Sequence, residues 1–371
     1  MKQMHVAMVV SEYPPDSRGI GYFVEHLAEG LLGHGFRVSV ITRGSSFVIK
    51  KKSCGGIDVY RAPFFPFSPF GLTTHGIFVE RLLHSINPDI VHLHTPMVPF
   101  LDVGVPRIAT IHGVTKYWIK NLYPIGKNPT SLYRRLLLPI YSWYERRSLQ
   151  KADMIVYMTE KSKKELASYH FSNLIHIPNG SSLDLYKKQR RKKRVLFVGQ
   201  MILGKGAKDL FEAIKIISSQ VLEWEFLFIG NGYLLSKLKR LAKRYRLRNV
   251  FFLSQVDHGK ISDYYNSSEI LVLPSYAETM PNVLLEGMAC KMALVASHLE
   301  GNKDFLEEGK NVLFITPGDI GGIAKALLRL IKDVSLRRKM GQENYQLIKN
   351  VYNWETITKQ YIRAYRSLMK K

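Results

Sequence analysis

Short apolar segments recur along the chain and alternate with segments whose apolar residues recur every three or four positions. In the first half, the apolar segments predict buried strands at 4–10, 37–42, 89–94, 107–112 and 154–158. The second half repeats the pattern at 194–198, 225–229, 249–253 and 270–273. Alternation of strands and helices is typical of parallel, doubly wound sheets, so the predicted fold class is α/β.

The length of the chain predicts more than one domain, because 371 residues exceed one ordinary hydrophobic core. We place a first domain at residues 1–182 and a second at 194–350. The basic run KKQRRKKR marks the segment 183–193 as an exposed linker. Residues 351–371 carry apolar side chains at helical spacing and predict a terminal helix.

The two cysteines, Cys54 and Cys290, stand far apart and imply no disulfide framework, which favours a reducing cytosol. The apolar stretch at 4–10 is too short for a signal sequence, and no stretch has the length that a bilayer-spanning helix needs. We therefore expect a cytoplasmic protein, either soluble or peripheral on the cytoplasmic face of a membrane.

The net charge of +24 indicates either an anionic partner or a large solvated surface. An anionic membrane surface is the favoured partner. Nucleic acid is the weaker reading, because the sequence has no zinc-ligand spacing and no RNP-type aromatic motif, and its basic residues are scattered. Aromatic residues gather in a predicted loop at 61–70, and aromatic and basic residues together at 116–151. Both segments fit a membrane-facing surface, or alternatively ordinary packing within the domain.

The segment 270–300 has the densest candidate chemistry. Its apolar strand is followed by a polar turn and by a helix that we expect to begin at Pro281, since proline is tolerated at a first helical position. Glu278 then lies at the carboxyl end of a parallel strand and Glu286 in the early turns of the helix, where open α/β sheets bind ligands. Carboxylates accept hydrogen bonds from vicinal hydroxyls and a helix N-terminus attracts phosphate, so this segment suits a sugar nucleotide.

Three other strand ends carry candidate ligand-binding residues. Gly19 and Gly21 follow the first strand and allow a ligand to approach the backbone. His112 ends a strand, whereas His94 is interpreted as a packed strand-end histidine. Lys205 precedes a helix, where an ammonium can neutralise the charge of a departing diphosphate. The plainer alternatives are a structural turn, a packed histidine and a solvated lysine.

The string ETMPNVLLEGMAC (278–290) resembles the Glu-x7-Glu signature of retaining glycosyltransferases with the GT-B fold, in particular glycosyltransferase family 4. By this resemblance Glu278 contacts the donor hexose and Glu286 binds the nucleotide ribose. The residues between them that belong to the same string are also predicted donor contacts: Thr279, Met280, Pro281 and Asn282.

Three further strings resemble the same family. ATIHG resembles its T-x-H position, which places His112 near the donor sugar and phosphate, and Gly19 and Gly21 match paired glycines that face the donor. The loop GQMILGKG resembles G-R-x4-K-G, which makes Lys205 the diphosphate lysine. Gln200 replaces the usual arginine, so stabilisation of charge in the transition state rests more heavily on Lys205.

The resemblance implies two Rossmann-like domains facing a cleft, with the acceptor bound by the first, the donor by the second, and the terminal helix packed back on the first. The implied reaction moves a hexose from a UDP- or GDP-sugar to a hydroxyl of a lipid or glycan with retention of configuration. It uses no metal and no other cofactor. The implied catalytic residues are His112, Lys205 and Glu278.

Two departures from the family pattern keep other functions open. Lys291 stands where glycine is usual, and a positive φ there would strain a lysine. Together with Gln200 it leaves room for a non-catalytic sugar-nucleotide-binding subunit. Another GT-B enzyme, an epimerase or a phosphorylase, is the remaining alternative.

Overall fold

The computed structural model describes residues 3–15, 19–65, 71–96, 98–115, 136–167, 169–171, 173–254, 256 and 258–370. The chain divides into two compact units, residues 1–179 with 354–371, and residues 180–353. The sequence-based boundaries differ from these by three residues at each junction. The second unit also contains the segment 183–193 that the sequence predicts as a separate linker, where Arg191 donates a hydrogen bond of 2.8 Å to the carbonyl of Lys291.

The first unit is built on an eight-stranded sheet with the strand order β3-β4-β2-β1-β5-β6-β7-β8. All neighbouring strands are parallel except β3, which runs antiparallel to β4. The strands are β1 (His5–Val10), β2 (Arg37–Gly44), β3 (Lys50–Cys54), β4 (Ile57–Pro63), β5 (Ile90–Thr95), β6 (Arg107–Ile111), β7 (Met154–Tyr157) and β8 (Leu174–His176). The helices of this part are α1 (Gly19–Gly33), α2 (Gly71–Ile86), α3 (Leu138–Gln150) and α4 (Glu160–Ala167).

The second unit is built on a six-stranded parallel sheet with the order β11-β10-β9-β12-β13-β14. Its strands are β9 (Arg194–Val198), β10 (Glu225–Ile229), β11 (Val250–Leu253), β12 (Ile270–Leu273), β13 (Ala293–Ser297) and β14 (Leu313–Ile315). Its helices are α5 (Ala207–Ile217), α6 (Leu235–Arg244), α7 (His258–Ser267), α8 (Asn282–Ala289), α9 (Glu300–Lys303), α10 (Ile320–Lys332) and α11 (Val334–Asn350).

The last helix, α12 (Trp354–Leu368), belongs to the first unit and packs beside α1. The two helices approach closely at Gly30, where an added Cβ would lie 2.3 Å from Thr358 Oγ1. Tyr361 and Tyr365 are fully buried on the inner face of α12. Their hydroxyls bond to the sheet, at 3.0 Å from Thr110 Oγ1 and 2.7 Å from His92 Nδ1 respectively.

Several element boundaries differ from the sequence-based predictions. Helix α1 begins at Gly19, so both glycines lie in its first turn rather than in a loop. Helix α8 begins at Asn282 and Pro281 is its N-cap residue. Strand β4 extends through Pro63 into the predicted loop at 61–70, because a proline at the last position of a strand disturbs few ladder hydrogen bonds. Residues 66–70 and 116–135 lie outside the described part of the chain.

None of the described helices is both long and apolar enough to cross a bilayer. Cys54 is exposed and Cys290 is buried, and both are free thiols.

Candidate functional site

The candidate site of the second unit lies where the strand order reverses. Strand β9 pairs with β10 on one side and with β12 on the other, so the loops that follow β9 and β12 leave the sheet in a crevice between helices. Ligands of open α/β sheets bind at this kind of switch point, beyond the carboxyl ends of the strands. The loop after β9 carries Gln200 and Lys205, and the loop after β12 carries Glu278.

A close backbone contact holds these two loops together. The φ of Gly206 is +68°, and an added Cβ would lie 2.0 Å from the carbonyl oxygen of Pro274. The backbone N–H of Tyr276 donates a hydrogen bond of 2.9 Å to the carbonyl of Gly204. Glycine at position 206 is therefore required by both conformation and space, and it brings the two loops into register.

Lys205 and Glu278 form an ion pair across the two loops. Lys205 Nζ lies 2.6 Å from Glu278 Oε1, and the side chains are 23% and 8% exposed. An ammonium and a carboxylate thus lie together, partly shielded from water, at the switch point. The structure brings together these two residues, which the sequence placed 73 positions apart.

Glu286 lies on α8, the helix that follows the loop of Glu278. Its Oε2 accepts a hydrogen bond of 2.7 Å from the hydroxyl of Tyr265, a fully buried residue of α7. Burial, together with the charge of Glu286, raises the pKa of Tyr265 well above its usual value, so the hydroxyl remains a donor. Sequence reasoning missed Tyr265, because it belongs to none of the motifs that the sequence offers.

The segment between Glu278 and Glu286 is held by a second close backbone contact. Met280 is buried, whereas Thr279 and Asn282 are half-buried. Gly301, in the turn that begins α9, approaches the loop so closely that an added Cβ would lie 2.3 Å from the carbonyl of Thr279. This contact fixes the backbone on which Glu278 is carried.

Gln200 lies in the β9 loop and is half-buried. Its carbonyl accepts a hydrogen bond of 2.9 Å from the N–H of Ile202, and the next residue, Met201, donates 2.8 Å to Asn231 in the loop after β10. The position is therefore held by backbone contacts.

Tyr276 and Asp209 add a contact near Lys205 that the sequence did not predict. The hydroxyl of Tyr276 donates a hydrogen bond of 2.8 Å to Asp209 Oδ2 in the first turn of α5. Partial burial, followed by this hydrogen bond, raises the pKa of Tyr276 to about 12.

The first unit contains the other predicted site residues. His112 directly follows β6 and is half-buried, and its Nε2 lies 3.2 Å from His94 Nδ1 on β5. The ring of Phe23, on α1, meets the ring of His112 edge-on with centroids 4.6 Å apart. Since Gly19 and Gly21 occupy the first turn of the same helix, Phe23 connects the glycine turn to the histidine. Burial lowers the pKa of His112 to about 3, so its imidazole is neutral at physiological pH.

A buried carboxylate supports the loop that follows His112. Glu145, on α3, accepts a hydrogen bond of 3.0 Å from the backbone N–H of Thr115 and another from its hydroxyl. Burial raises the pKa of Glu145 to about 7, although the bonds to Thr115 act in the opposite direction.

Lys291 has the positive φ that the family pattern indicated, at 55°. Its ammonium lies 4.3 Å from the ring centroid of Tyr186 and 4.5 Å from that of Tyr345. These contacts offset the strain of a left-handed lysine, because a cation over an aromatic face contributes about 0.5–1 kcal/mol at an exposed site. Lys291 is thus accommodated just beyond the end of the helix that carries Glu286.

Solved structures share the whole architecture. The chain is similar to the sucrose-phosphate synthase of Thermosynechococcus elongatus, with a TM-score of 0.81 at 20% identity, covering 99% of this chain and 100% of that one. It is also similar to HepE of Anabaena, solved in complex with UDP-glucose, with a TM-score of 0.73 at 16% identity, covering 98% and 100%. These likenesses confirm the predicted α/β fold of the GT-B type.

Two family models divide the chain between them. The model described as glycosyltransferase family 4 matches residues 17–185, and the model described as glycosyl transferases group 1 matches residues 184–347. The chain therefore belongs to the group 1, family 4 type of glycosyltransferases.

Curated relatives agree with this assignment. One is an uncharacterized glycosyltransferase of Methanocaldococcus jannaschii, 25% identical, with 99% of each chain covered. Another is the phosphatidyl-myo-inositol mannosyltransferase of Mycobacterium tuberculosis, 24% identical, with 81% of this chain and 79% of that protein covered.

Proposed function

We propose that this glycosyltransferase moves a hexose from a nucleotide-diphosphate sugar, a UDP- or GDP-sugar, to an acceptor hydroxyl with retention of anomeric configuration. The observation that carries the proposal is the ion pair of Lys205 and Glu278 at the switch point of the second sheet, with Glu286 on the helix that follows the loop of Glu278. These groups match the three parts of such a donor, namely its phosphates, its hexose and its ribose. HepE, a structural neighbour, was solved with UDP-glucose, which supports a donor of this class.

Each proposed role follows from the chemistry of the side chain. The ammonium of Lys205 neutralises the charge that grows on the leaving diphosphate, a task that the neutral amide of Gln200 can only assist. Glu278 accepts hydrogen bonds from hexose hydroxyls. Glu286 has one oxygen held by Tyr265 and can accept from a ribose hydroxyl with the other. Thr279, Met280, Pro281 and Asn282 are the proposed backbone and side-chain contacts between them.

His112, Gly19 and Gly21 are the proposed site residues of the first unit. A neutral imidazole is a hydrogen-bond donor at one nitrogen, so His112 suits an oxygen of the substrate. The leaving diphosphate is proposed to accept the proton of the acceptor hydroxyl, because the motifs offer no third acid as a base. The reaction is proposed to proceed without a metal ion.

The acceptor is proposed to be a membrane lipid or a cell-surface glycan precursor. A relative named phosphatidyl-myo-inositol mannosyltransferase acts on a lipid by its name, and the large positive charge of this chain suits an anionic membrane. Peripheral attachment to the cytoplasmic face of a membrane would bring the enzyme to such an acceptor.

Thermal unfolding against a panel of nucleotide sugars tests donor binding. A donor at a hundred times its dissociation constant is expected to stabilise by about 2.7 kcal/mol, and Glu286→Gln is expected to lose that shift. No shift from any nucleotide sugar would contradict the proposal.

Product analysis separates the alternatives. Transfer to an alcohol acceptor with the donor's anomeric configuration supports the proposed reaction, and EDTA is expected to leave the rate unchanged. Rearranged sugar nucleotide would indicate an epimerase, and release of a sugar phosphate a phosphorylase. Donor binding without turnover would indicate a non-catalytic subunit.

A further inference from the structure

A groove of about 530 Å³ lies between helix α6 and strand β11 of the second unit. Strand β11 is an outer strand of the sheet, so one of its edges has no neighbouring strand in the order of that sheet. Apolar side chains form part of its lining, and among them Phe251 is 45% exposed. An aromatic ring that remains exposed inside a groove favours an amphiphilic occupant over a purely polar one.

Cations surround this apolar surface. They are all exposed and come from α6 and the turn that follows it: Lys239, Arg240, Lys243, Arg246 and Arg248. Residues 226–256 contain these five cations and two more, Lys237 and Arg244, but no Asp or Glu. Within the described part of the chain, none of the five forms an ion pair.

The side chains of α6 divide cleanly between its two faces. Leu238 and Ala242 are buried against the sheet, while Lys239 and Lys243, one helical turn apart, face solvent beside the groove. A basic helix face next to exposed aromatic surface is the composition of segments that lie at the interface of a membrane.

We propose that this groove is a docking surface for a membrane rich in anionic phospholipid. Headgroup phosphates meet the cations of the rim, and Phe251 enters the interfacial layer beneath them. The surface belongs to the second unit, whereas the segments 61–70 and 116–151, for which the sequence predicts membrane contact, belong to the first. The purpose of this docking surface, to bring the enzyme to a lipid acceptor, rests on the proposed function.

Flotation of the full chain with phosphatidylcholine vesicles, with and without phosphatidylserine, tests the proposal. Each cation near an anionic surface contributes roughly fivefold to partitioning, so Lys239→Ala/Arg240→Ala/Lys243→Ala should bind anionic vesicles about a hundredfold more weakly. Lys325→Ala/Lys332→Ala/Lys339→Ala removes the same charge from exposed positions of α10 and α11, and it should bind like the wild type.

Phe251→Ser separates a lipid surface from other polyanions. It changes no charge, so it should weaken binding to vesicles but leave binding to a double-stranded oligonucleotide unchanged, because paired bases are not free to stack on the ring. The proposal is overturned if both triple variants lose binding equally, if Phe251→Ser has no effect on vesicles, or if the oligonucleotide binds and vesicles do not.

The UDP-induced thermal shift is measured on the same variants. An unchanged shift in the groove variant, with weaker flotation, supports the docking surface independently of the acceptor. A protein that floats but shows no shift with any nucleotide would contradict the proposed reaction and leave the docking surface supported.

Discussion

Lys205 Nζ lies 2.6 Å from Glu278 Oε1. The residue proposed to bind the diphosphate and the residue proposed to bind the hexose therefore neutralise each other's charge. A carboxylate that is 8% exposed requires a counter-charge, because burial of an unpaired ion is costly. Under the proposed function, a diphosphate that binds the lysine would leave Glu278 available to the hydroxyls of the hexose. The ion pair is thus a structural contact that donor binding is proposed to open.

Removal of the lysine should separate these two roles. In Lys205→Met the leaving diphosphate loses its cation, and turnover should fall about 10²–10³-fold. Glu278 loses the ammonium of Lys205, which should cost about 1–2 kcal/mol because the lysine is partly exposed. Adding Glu278→Gln should restore the melting temperature but not the activity. Near-normal turnover of Lys205→Met alone would show that Lys205 has no role in the mechanism.

The contact between Tyr265 and Glu286 should set nucleotide affinity. Tyr265→Phe removes the hydroxyl that orients the carboxylate, and a hydrogen bond to a charged group contributes about 1.5–3 kcal/mol. Affinity for UDP, measured by calorimetry, should fall by at least about tenfold with a smaller change in kcat. Tyr264→Phe, at the neighbouring position of α7, is the matched control and should bind UDP normally. Equal affinities for the two variants would contradict a positioning role.

The sequence predicted the fold well because its signals are local. The apolar strands of 4–10 and 270–273 have nearly the predicted ends, since each is buried on both faces and flanked by turn residues. The sequence also indicated the unusual backbone conformation of Lys291, because a lysine rarely occupies a glycine position that requires a positive φ.

The supporting contacts of the candidate site could not be predicted, because they join distant segments. Tyr265 meets Glu286 only once α7 and α8 pack on the same side of the sheet, and Tyr276 meets Asp209 only once the loop after β12 approaches the first turn of α5. His94 was interpreted as a packed histidine, and it is buried, but it also contacts His112. Spacing along the chain contains no information on such pairs.

The pair of His94 and His112 should adopt one tautomeric arrangement. His94 Nε2 is buried without a partner among the described residues, and an orphaned N–H is rarer than an orphaned acceptor. We therefore expect His94 to carry its proton on Nδ1 and donate it to His112 Nε2, which leaves the proton of His112 on Nδ1. Burial lowers the pKa of both rings, so both are neutral near pH 7.

Nitrogen-15 NMR of labelled histidines measures these tautomers. His94→Leu removes the donor and should allow His112 to carry its proton on Nε2. Turnover should then fall about tenfold, which corresponds to the free energy of one hydrogen bond. His94→Asn keeps an amide donor near the position of Nδ1 and should preserve both tautomer and rate. A wild-type His112 protonated on Nε2 would refute the arrangement.

Glu145 should make the stability of the protein depend on pH in a direction opposite to that of its buried histidines. Its pKa in the folded protein is raised to about 7, whereas a glutamate in the unfolded chain titrates near its ordinary value of 4.5. Between these pH values the folded state binds the proton and the unfolded chain does not, so stability falls as pH rises through this window. The full difference amounts to about 3 kcal/mol and is complete just above pH 7.

The buried histidines act in the other direction. Their lowered pKa values mean that the unfolded chain takes up protons first, so stability is lost as pH falls below about 6.5. The difference between wild type and Glu145→Gln isolates the carboxyl group, because the histidines are common to both. Between pH 4.5 and pH 8, the melting temperature of the variant should rise relative to that of the wild type as pH increases. Above about pH 7 the difference between the two melting temperatures should be constant.

Glu160→Gln, a substitution at an exposed acid of α4, provides the control and should follow the wild type at every pH. A parallel pair of curves for wild type and Glu145→Gln would show that the pKa of Glu145 is the same in the folded and unfolded chain. In that case the hydrogen bonds from Thr115 balance burial, and at neutral pH the loop after His112 is held by a charged carboxylate rather than by a neutral one.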